Sequence, residues 1–397
     1  MAKSGFSNKV YIYTFIMSVL VVLVHAVNFA SDNSTLLLMI QSSDLNCIDL
    51  GGMTGISAHI ENFFSNALGQ AAVPGFFMMS GYLFYRTMTG IKDIGKKWKS
   101  RFSSIVVPYG VWNVIYYLVY VALGRAAFCI NELNSAVTVY KYNPLFWYLY
   151  QLILLSILAP VFYILLKNRI IAFASFFLYL GFLIKGGDLP LINEDAVIYY
   201  FAGGLMSRFW TASFEKGKKS GIILGTFLIV LTWSTQIFTT VGMQNFVIAP
   251  IDLQKMESLS FWYFGGRVSE VLGALIVKLP EYVLIYILSP GGQLVVNALR
   301  RLFLCLGIWL ILSGKMPEAK GYMKNSFFLY AVHFPIARGV IFMLEYMNVG
   351  YHGTGEQVLR LVAYFATPVI SIAVADGLKQ ILKKYIPFSW KLLSGGR

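Results

Sequence analysis

The chain has 4 histidines, and two of them, His25 and His333, fall inside long apolar runs, where an ionisable side chain is costly and marks function. An imidazole titrates near neutral pH, so it can take a proton from a hydroxyl and pass one to a leaving group. His25 follows Ser18-Val-Leu-Val-Val-Leu-Val24 and lies about 15 residues into its run, roughly 22 Å from the start at 1.5 Å per residue. His333 lies about seven residues into a later run, at roughly 10 Å. Counting thus sets His25 in the outer half of a membrane and His333 nearer the inner side. For each, the alternative is a hydrogen bond to a neighbouring helix worth about 1 kcal/mol or less. That alternative is preferred for His333, and the functional reading for His25. His59 and His352 lie in predicted loops and are given no role.

A second chemical feature is the predicted loop between the second and third apolar runs, a cationic stretch that carries Arg86, Lys92, Lys96, Lys97, Lys99 and Arg101, opposed only by Asp93. It is read in two ways that spacing does not separate. One is a topology signal, because basic residues collect on the cytoplasmic side. The other is an anion dock, in which lysine point charges and an arginine fork hold phosphates.

The elements that must position these groups follow from composition. With 57% hydrophobic and only 13% charged residues, the chain carries about half the charge of a soluble domain. A mean hydropathy of +0.66 points the same way. A spanning helix needs roughly 20 mostly apolar residues. About ten runs approach that length: Val10 to Phe29, Ala67 to Tyr85, Ser104 to Leu123, Leu145 to Leu166, Ile170 to Ile184, Ala196 to Trp210, Gly221 to Thr240, Val295 to Leu312, Ser326 to Tyr346 and Val358 to Val374. The expected fold is therefore all-α, a polytopic integral-membrane helix bundle of about ten transmembrane helices, forming one domain over residues 1–397. With both termini cytoplasmic, most of the 32 basic residues fall in inner segments, against only Asp93, Glu215, Glu318 and Asp376 among the acids.

The net charge of +14 is thus spent on topology, and nucleic acid is not an expected partner. The run after Lys9 is too long for a secretory h-region, so the first helix is expected to stay attached. The stretch Phe261 to Leu288 is apolar but holds Arg267, Glu270, Lys278 and Glu281; it is read as re-entrant or lying on the outer face. Cys47 and Cys129 fall in predicted outer loops, free or paired, and with Cys305 match no metal-ligand spacing. No metal site is expected. Ser80 and Gly81 are read as small residues for close helix packing, and Trp147, Tyr148 and Tyr150 as an interfacial aromatic anchor.

Several strings, in order along nearly the whole chain, resemble the acyltransferase 3 family. They are Val19-Leu-Val-Val-Leu-Val-His25, Pro74-Gly-Phe-Phe-Met-Met-Ser-Gly-Tyr-Leu-Phe84, and Lys97-Trp-Lys-Ser-Arg-Phe-Ser-Ser-Ile-Val-Val-Pro-Tyr109. Phe146-Trp-Tyr-Leu-Tyr150 with Pro160, Ser326-Phe-Phe-Leu-Tyr-Ala-Val-His-Phe-Pro335 and Leu393-Ser-Gly-Gly-Arg397 complete them. The resemblance implies a membrane O-acyltransferase in the plasma (inner) membrane with no bound cofactor. Acetyl-CoA or another acyl-CoA would be the cytosolic donor, and a hydroxyl of an extracytoplasmic polysaccharide or glycan the acceptor.

On that resemblance His25 is the catalytic base, while Arg101, Lys97 and Lys99 bind the donor. His333, Ser80 and Trp147 are candidate cavity residues. Two family cations are replaced, by Thr14 and by Ser104. They motivate a competing reading: a non-catalytic transporter or sensor of a glycolipid that has kept the fold and lost acyl transfer.

Overall fold

The first helix, α1 (Ala2–His25), starts well before the apolar run that predicts it. Its extra N-terminal turns carry Phe6 and Lys9, both buried, with Lys9 Nζ 4.2 Å from the centre of the Trp309 ring. A lysine buried over an aromatic face is compatible with a helix interior, so Lys9 does not end the element. The structure is a computed structural model that describes residues 2–27, 57, 60–61, 63–217, 219–242, 289–350 and 353–396. The Phe261 to Leu288 stretch, Cys47, His59, His352 and Arg397 lie outside the described residues. Cys129 is exposed and Cys305 buried, both as free thiols.

The remaining elements are all helical. A π-helical turn (Phe63–Leu68) and a 3-10 turn (Gly69–Ala71) lead into α2 (Ala72–Tyr85). The cationic stretch, expected as a loop, is largely α3 (Asp93–Arg101), continued by a π turn (Phe102–Val106) into α4 (Val107–Ala122). There follow α5 (Ile130–Thr138), α6 (Trp147–Ile157), α7 (Ala159–Leu165), α8 (Arg169–Ile184), α9 (Glu194–Phe209) and α10 (Thr211–Lys216). The last group is α11 (Lys219–Gly242), α12 (Pro290–Ile311), α13 (Ser326–Tyr346), α14 (Thr354–Tyr385) and α15 (Pro387–Ser394). No strand occurs among the described residues.

Among the described residues, 5 helical stretches are long and apolar enough to cross a membrane: Gly5–His25, Asp93–Ala122, Pro290–Ile311, Gly321–Tyr346 and Thr354–Tyr385. The Leu145 to Leu166 run is a pair bent by 58° that would make a sixth. Pro160 sits in the first turn of α7, where its missing N–H is harmless, and this is where the run bends. The Ala67 to Tyr85 run changes helix type on its way, from a π turn through a 3-10 turn into α2, and is not among those stretches. Large apolar side chains remain exposed along the helices, including Phe177 at 64%, Phe342 at 66% and Val369 at 66%, as a lipid-facing surface requires.

Helix α9 is the centre of the bundle: Ala196 to Leu205 are all buried. It approaches α2 at two glycines. A Cβ on Gly81 would stand 2.0 Å from the Tyr200 carbonyl oxygen, and one on Gly203 would stand 1.9 Å from that of Met78. The small-residue reading of Gly81 is thus realised as near backbone contact between two helices.

Helices α1 and α13 run parallel. Ser326 Oγ donates to Thr14 Oγ1 at 3.4 Å, the Phe15 ring meets Tyr322 of the 3-10 turn that leads into α13 (Gly321–Asn325) at 5.5 Å, and α1 and α13 meet again at His25 and His333.

Candidate active site

His25 closes α1, where the last carbonyls have no intrahelical donor. The end is held from outside: Ser65 Oγ donates to the Leu23 carbonyl at 3.0 Å and lies 2.7 Å from the Tyr364 hydroxyl on α14. The half-buried His25 ring faces two neighbours on α13, His333 with centroids 5.5 Å apart and Phe334 edge-on at 5.8 Å.

His333 is fully buried, and its Nδ1 lies 2.7 Å from the Tyr330 carbonyl oxygen. A carbonyl can only accept, so Nδ1 carries the hydrogen and Nε2 presents a lone pair. Nε2 is buried with no hydrogen-bond partner among the described residues. The ring is therefore held in one tautomer, with its basic nitrogen free to receive a proton.

The local backbone explains why a proline follows. Pro335 inside α13 has no N–H to give the Ala331 carbonyl, which instead accepts from the Tyr116 hydroxyl at 2.8 Å. The proline thereby ties the histidine-bearing segment to α4.

An aromatic wall leads from the histidines. Tyr330 meets His333 at 5.9 Å and Tyr148 at 5.7 Å; Tyr148 meets Phe77 at 4.7 Å, and Phe77 meets Trp147 at 6.3 Å. Tyr330 donates to the Leu145 carbonyl, which fixes its ring. Tyr148 is buried in this wall, which corrects its reading as an interfacial anchor; aromatic partners on α2 and α13 hold it in the core.

One turn along α2 from Phe77, the Ser80 carbonyl accepts from Arg101 Nη2 at 3.2 Å, and the guanidinium stands 5.7 Å from the Phe84 ring centre. Lys97, one turn before Arg101 on α3, donates to Thr87 Oγ1 at 2.8 Å and to the Leu83 carbonyl at 3.4 Å. Both cations thus complement the negative C-terminal end of α2. Lys99 projects from the opposite side of α3 and is exposed. Of the expected site residues, His25, His333, Ser80, Trp147 and Arg101 lie along one continuous wall. Lys97 flanks it, and Lys99 does not join it.

At the same end of α2, Glu215 of α10 accepts from Arg86 Nε at 2.5 Å and from the Tyr82 hydroxyl at 2.7 Å. Burial pushes the Glu215 carboxyl up, but these hydrogen bonds outweigh it and hold the group below its ordinary value. Arg86 is raised in return, chiefly by its hydrogen bond to Glu215.

Sequence reasoning passed over Arg301, near the middle of α12. Its Nη1 pairs with Asp195 Oδ2 at 3.4 Å, and Asp195 also accepts from the Tyr199 hydroxyl at 3.1 Å. The available signal was two adjacent arginines, Arg300 and Arg301, inside an apolar run.

The model of a family described as an acyltransferase domain, acyltransferase 3, matches residues 15–376. The chain belongs to that family. No curated protein and no solved structure matches it significantly. Family membership and the long apolar helices make this acyltransferase 3 protein a membrane protein. The match takes in His25, Ser80, Arg101 and His333; Thr14 lies one residue before it and the Leu393 to Arg397 string beyond it.

Thr14 and Ser104, the two positions at which the sequence resemblance implied a cation, are engaged in helix contacts. Thr14 Oγ1 donates to the Val10 carbonyl at 2.9 Å on the α1–α13 contact. Ser104 lies under the chain's end, where Gly395, at φ +68°, comes so close that a Cβ would stand 2.5 Å from the Ser104 carbonyl oxygen.

Proposed function

We propose that this protein is a membrane O-acyltransferase that moves an acyl group, acetyl in the simplest case, from a cytosolic acyl-CoA to a hydroxyl of an extracytoplasmic glycan. The observation that carries the reading is the His25–His333 pair inside the bundle, with the His333 lone pair unused and an aromatic wall running from it to Arg101. In this reading the bundle has about ten spans, lies in the plasma (inner) membrane and keeps both termini cytoplasmic, as the charge distribution favours.

The acyl-CoA phosphates are held at Arg101 and Lys97, and the flexible thioester arm lies along Phe77, Tyr148 and Tyr330. The acceptor hydroxyl attacks the thioester carbonyl carbon while His25 takes its proton. The C–S bond then breaks, and the departing thiolate takes a proton from the imidazolium. His333 stands beside His25 as a neutral imidazole whose Nε2 can accept from it, sharing the proton in transit. No metal enters this chemistry.

The test is acetyl-CoA turnover by the purified full-length protein, wild type against His25→Ala. The expected result is a fall of about 10²–10⁴ in rate with unchanged thermal stability. Equal turnover by the two proteins overturns His25 as base. Absence of turnover in the wild type, with surface glycans identical by mass spectrometry in cells with and without the protein, overturns the acyl-transfer reading.

A further inference from the structure

Arg338 lies near the middle of α13, one helical turn beyond Phe334 on the same face, and Phe334 is the residue whose ring meets His25 edge-on at 5.8 Å. Its Nη1 is shielded from solvent and has no hydrogen-bond partner among the described residues. A guanidinium cannot shed its charge, so an unpaired one inside a membrane calls for an anion. Eight more residues of helix, roughly 12 Å, separate it from the end of α13, further than its side chain extends. Arg301 and Arg208 each keep at least one partner, Arg301 in Asp195 and Arg208 in the Met88 carbonyl at 2.9 Å, and Arg360 is held by the Gly350 carbonyl at 2.9 Å and by that of Val349.

The position says which substrate the anion belongs to. Thr14 is level with Ser326 at the start of α13, whereas Arg338 lies on the far side of the histidine pair. On the acyl-transfer reading that far side is the one from which the acceptor arrives, opposite the Arg101 and Lys97 end assigned to the donor. We infer that Arg338 anchors an anionic group of the acceptor, a phosphate or a carboxylate, and so presents the acceptor hydroxyl to His25. This rests on the acyl-transfer reading above. Both anions accept the two parallel N–H donors of a guanidinium, which is also why lysine is a poor substitute.

The test reads binding, not turnover. Full-length protein in detergent is titrated with glucose 6-phosphate, glucuronate and neutral methyl glucoside, following the thermal unfolding midpoint. One charged sugar should stabilise the wild type well beyond methyl glucoside, and which one identifies the anion. Arg338→Gln should weaken that response at least tenfold and Arg338→Lys several-fold, while Arg101→Gln, at the donor end, keeps it. An undiminished response in Arg338→Gln, or no advantage of either charged sugar in the wild type, overturns the proposal. Should Arg338→Gln not fold, an unchanged affinity in Arg338→Lys overturns it equally. Charged-sugar binding that depends on Arg338 in a protein without acyl transfer would keep the anion site and discard the enzymatic reading.

Discussion

The imidazoles of His25 and His333 meet with centroids 5.5 Å apart and planes inclined at 43°. Counting along each helix sets them about 12 Å apart in depth. The discrepancy comes from assuming that both runs start at the same membrane surface. Ser326 opens α13 against Thr14, already well inside α1, and Gly321–Asn325 form a 3-10 turn before it, so seven residues of α13 suffice to reach the end of α1.

The pairing gives His333 a testable part separate from folding. Asparagine can keep the donor to the Tyr330 carbonyl but has no nitrogen lone pair where Nε2 stands. His333→Asn should therefore retain the wild-type unfolding midpoint within a few degrees while lowering kcat for acyl transfer about tenfold or more. His333→Ala should lose both. If kcat in His333→Asn equals that of wild type, His333 serves packing alone.

Arg101, Lys97 and Lys99, the three cations that the sequence suggests for the donor, should differ in their effect. Arg101→Ala should raise KM for acetyl-CoA about 10- to 100-fold, since on the proposed reading it removes the fork that would hold a phosphate at two points. Lys97→Ala should have a smaller effect, and Lys99→Ala none, because Lys99 is exposed on the other side of α3. Initial-rate measurements over a range of acetyl-CoA concentration decide it, and a large effect of Lys99→Ala would relocate the donor site.

Helix content and its lipid-facing character were legible because an apolar run of spanning length has few other uses. The run at Ser326 to Tyr346 coincides with α13. What spacing could not reveal was contact between distant helices: that Tyr148 is core, that Lys97 and Arg101 cap the end of α2, or that Asp195 answers Arg301. The Leu145 to Leu166 run carried its own warning in Pro160, a residue that averages out in a hydropathy window of spanning length and does not average out in the backbone. The cationic stretch misled in the opposite way, since its charge suggested a loop while its spacing of Lys97 and Arg101 was helical.

Acid should loosen the end of α2 through Glu215. Its carboxyl titrates below the ordinary 4.5 in the folded protein, so the stabilisation is present above that value and lost as pH falls through the lower folded one. Glu215→Gln should lower stability by about 1–2 kcal/mol at pH 7, given a charge-assisted pair that is only partly exposed. The variant should also show a shallower decline between pH 5 and pH 3 (roughly the window set by that depressed carboxyl) than wild type. Parallel acid profiles of the two proteins by thermal unfolding would remove Glu215 as the group responsible.

The proline after His333 yields a prediction of rescue. In the wild type the Ala331 carbonyl lacks its helical donor because Pro335 has no N–H, and the Tyr116 hydroxyl replaces it at 2.8 Å. Tyr116→Phe should leave that carbonyl unsatisfied and cost about 1–3 kcal/mol. Pro335→Ala returns an N–H at the position from which α13 would ordinarily supply it. The double variant should therefore recover most of the stability lost in Tyr116→Phe, giving a favourable coupling in a double-mutant cycle. Recovery of stability should not restore activity in full, because the tie between α4 and the histidine-bearing segment of α13 is then absent. Additive losses in stability would mean that Tyr116 supports the bundle by packing and not through the Ala331 carbonyl.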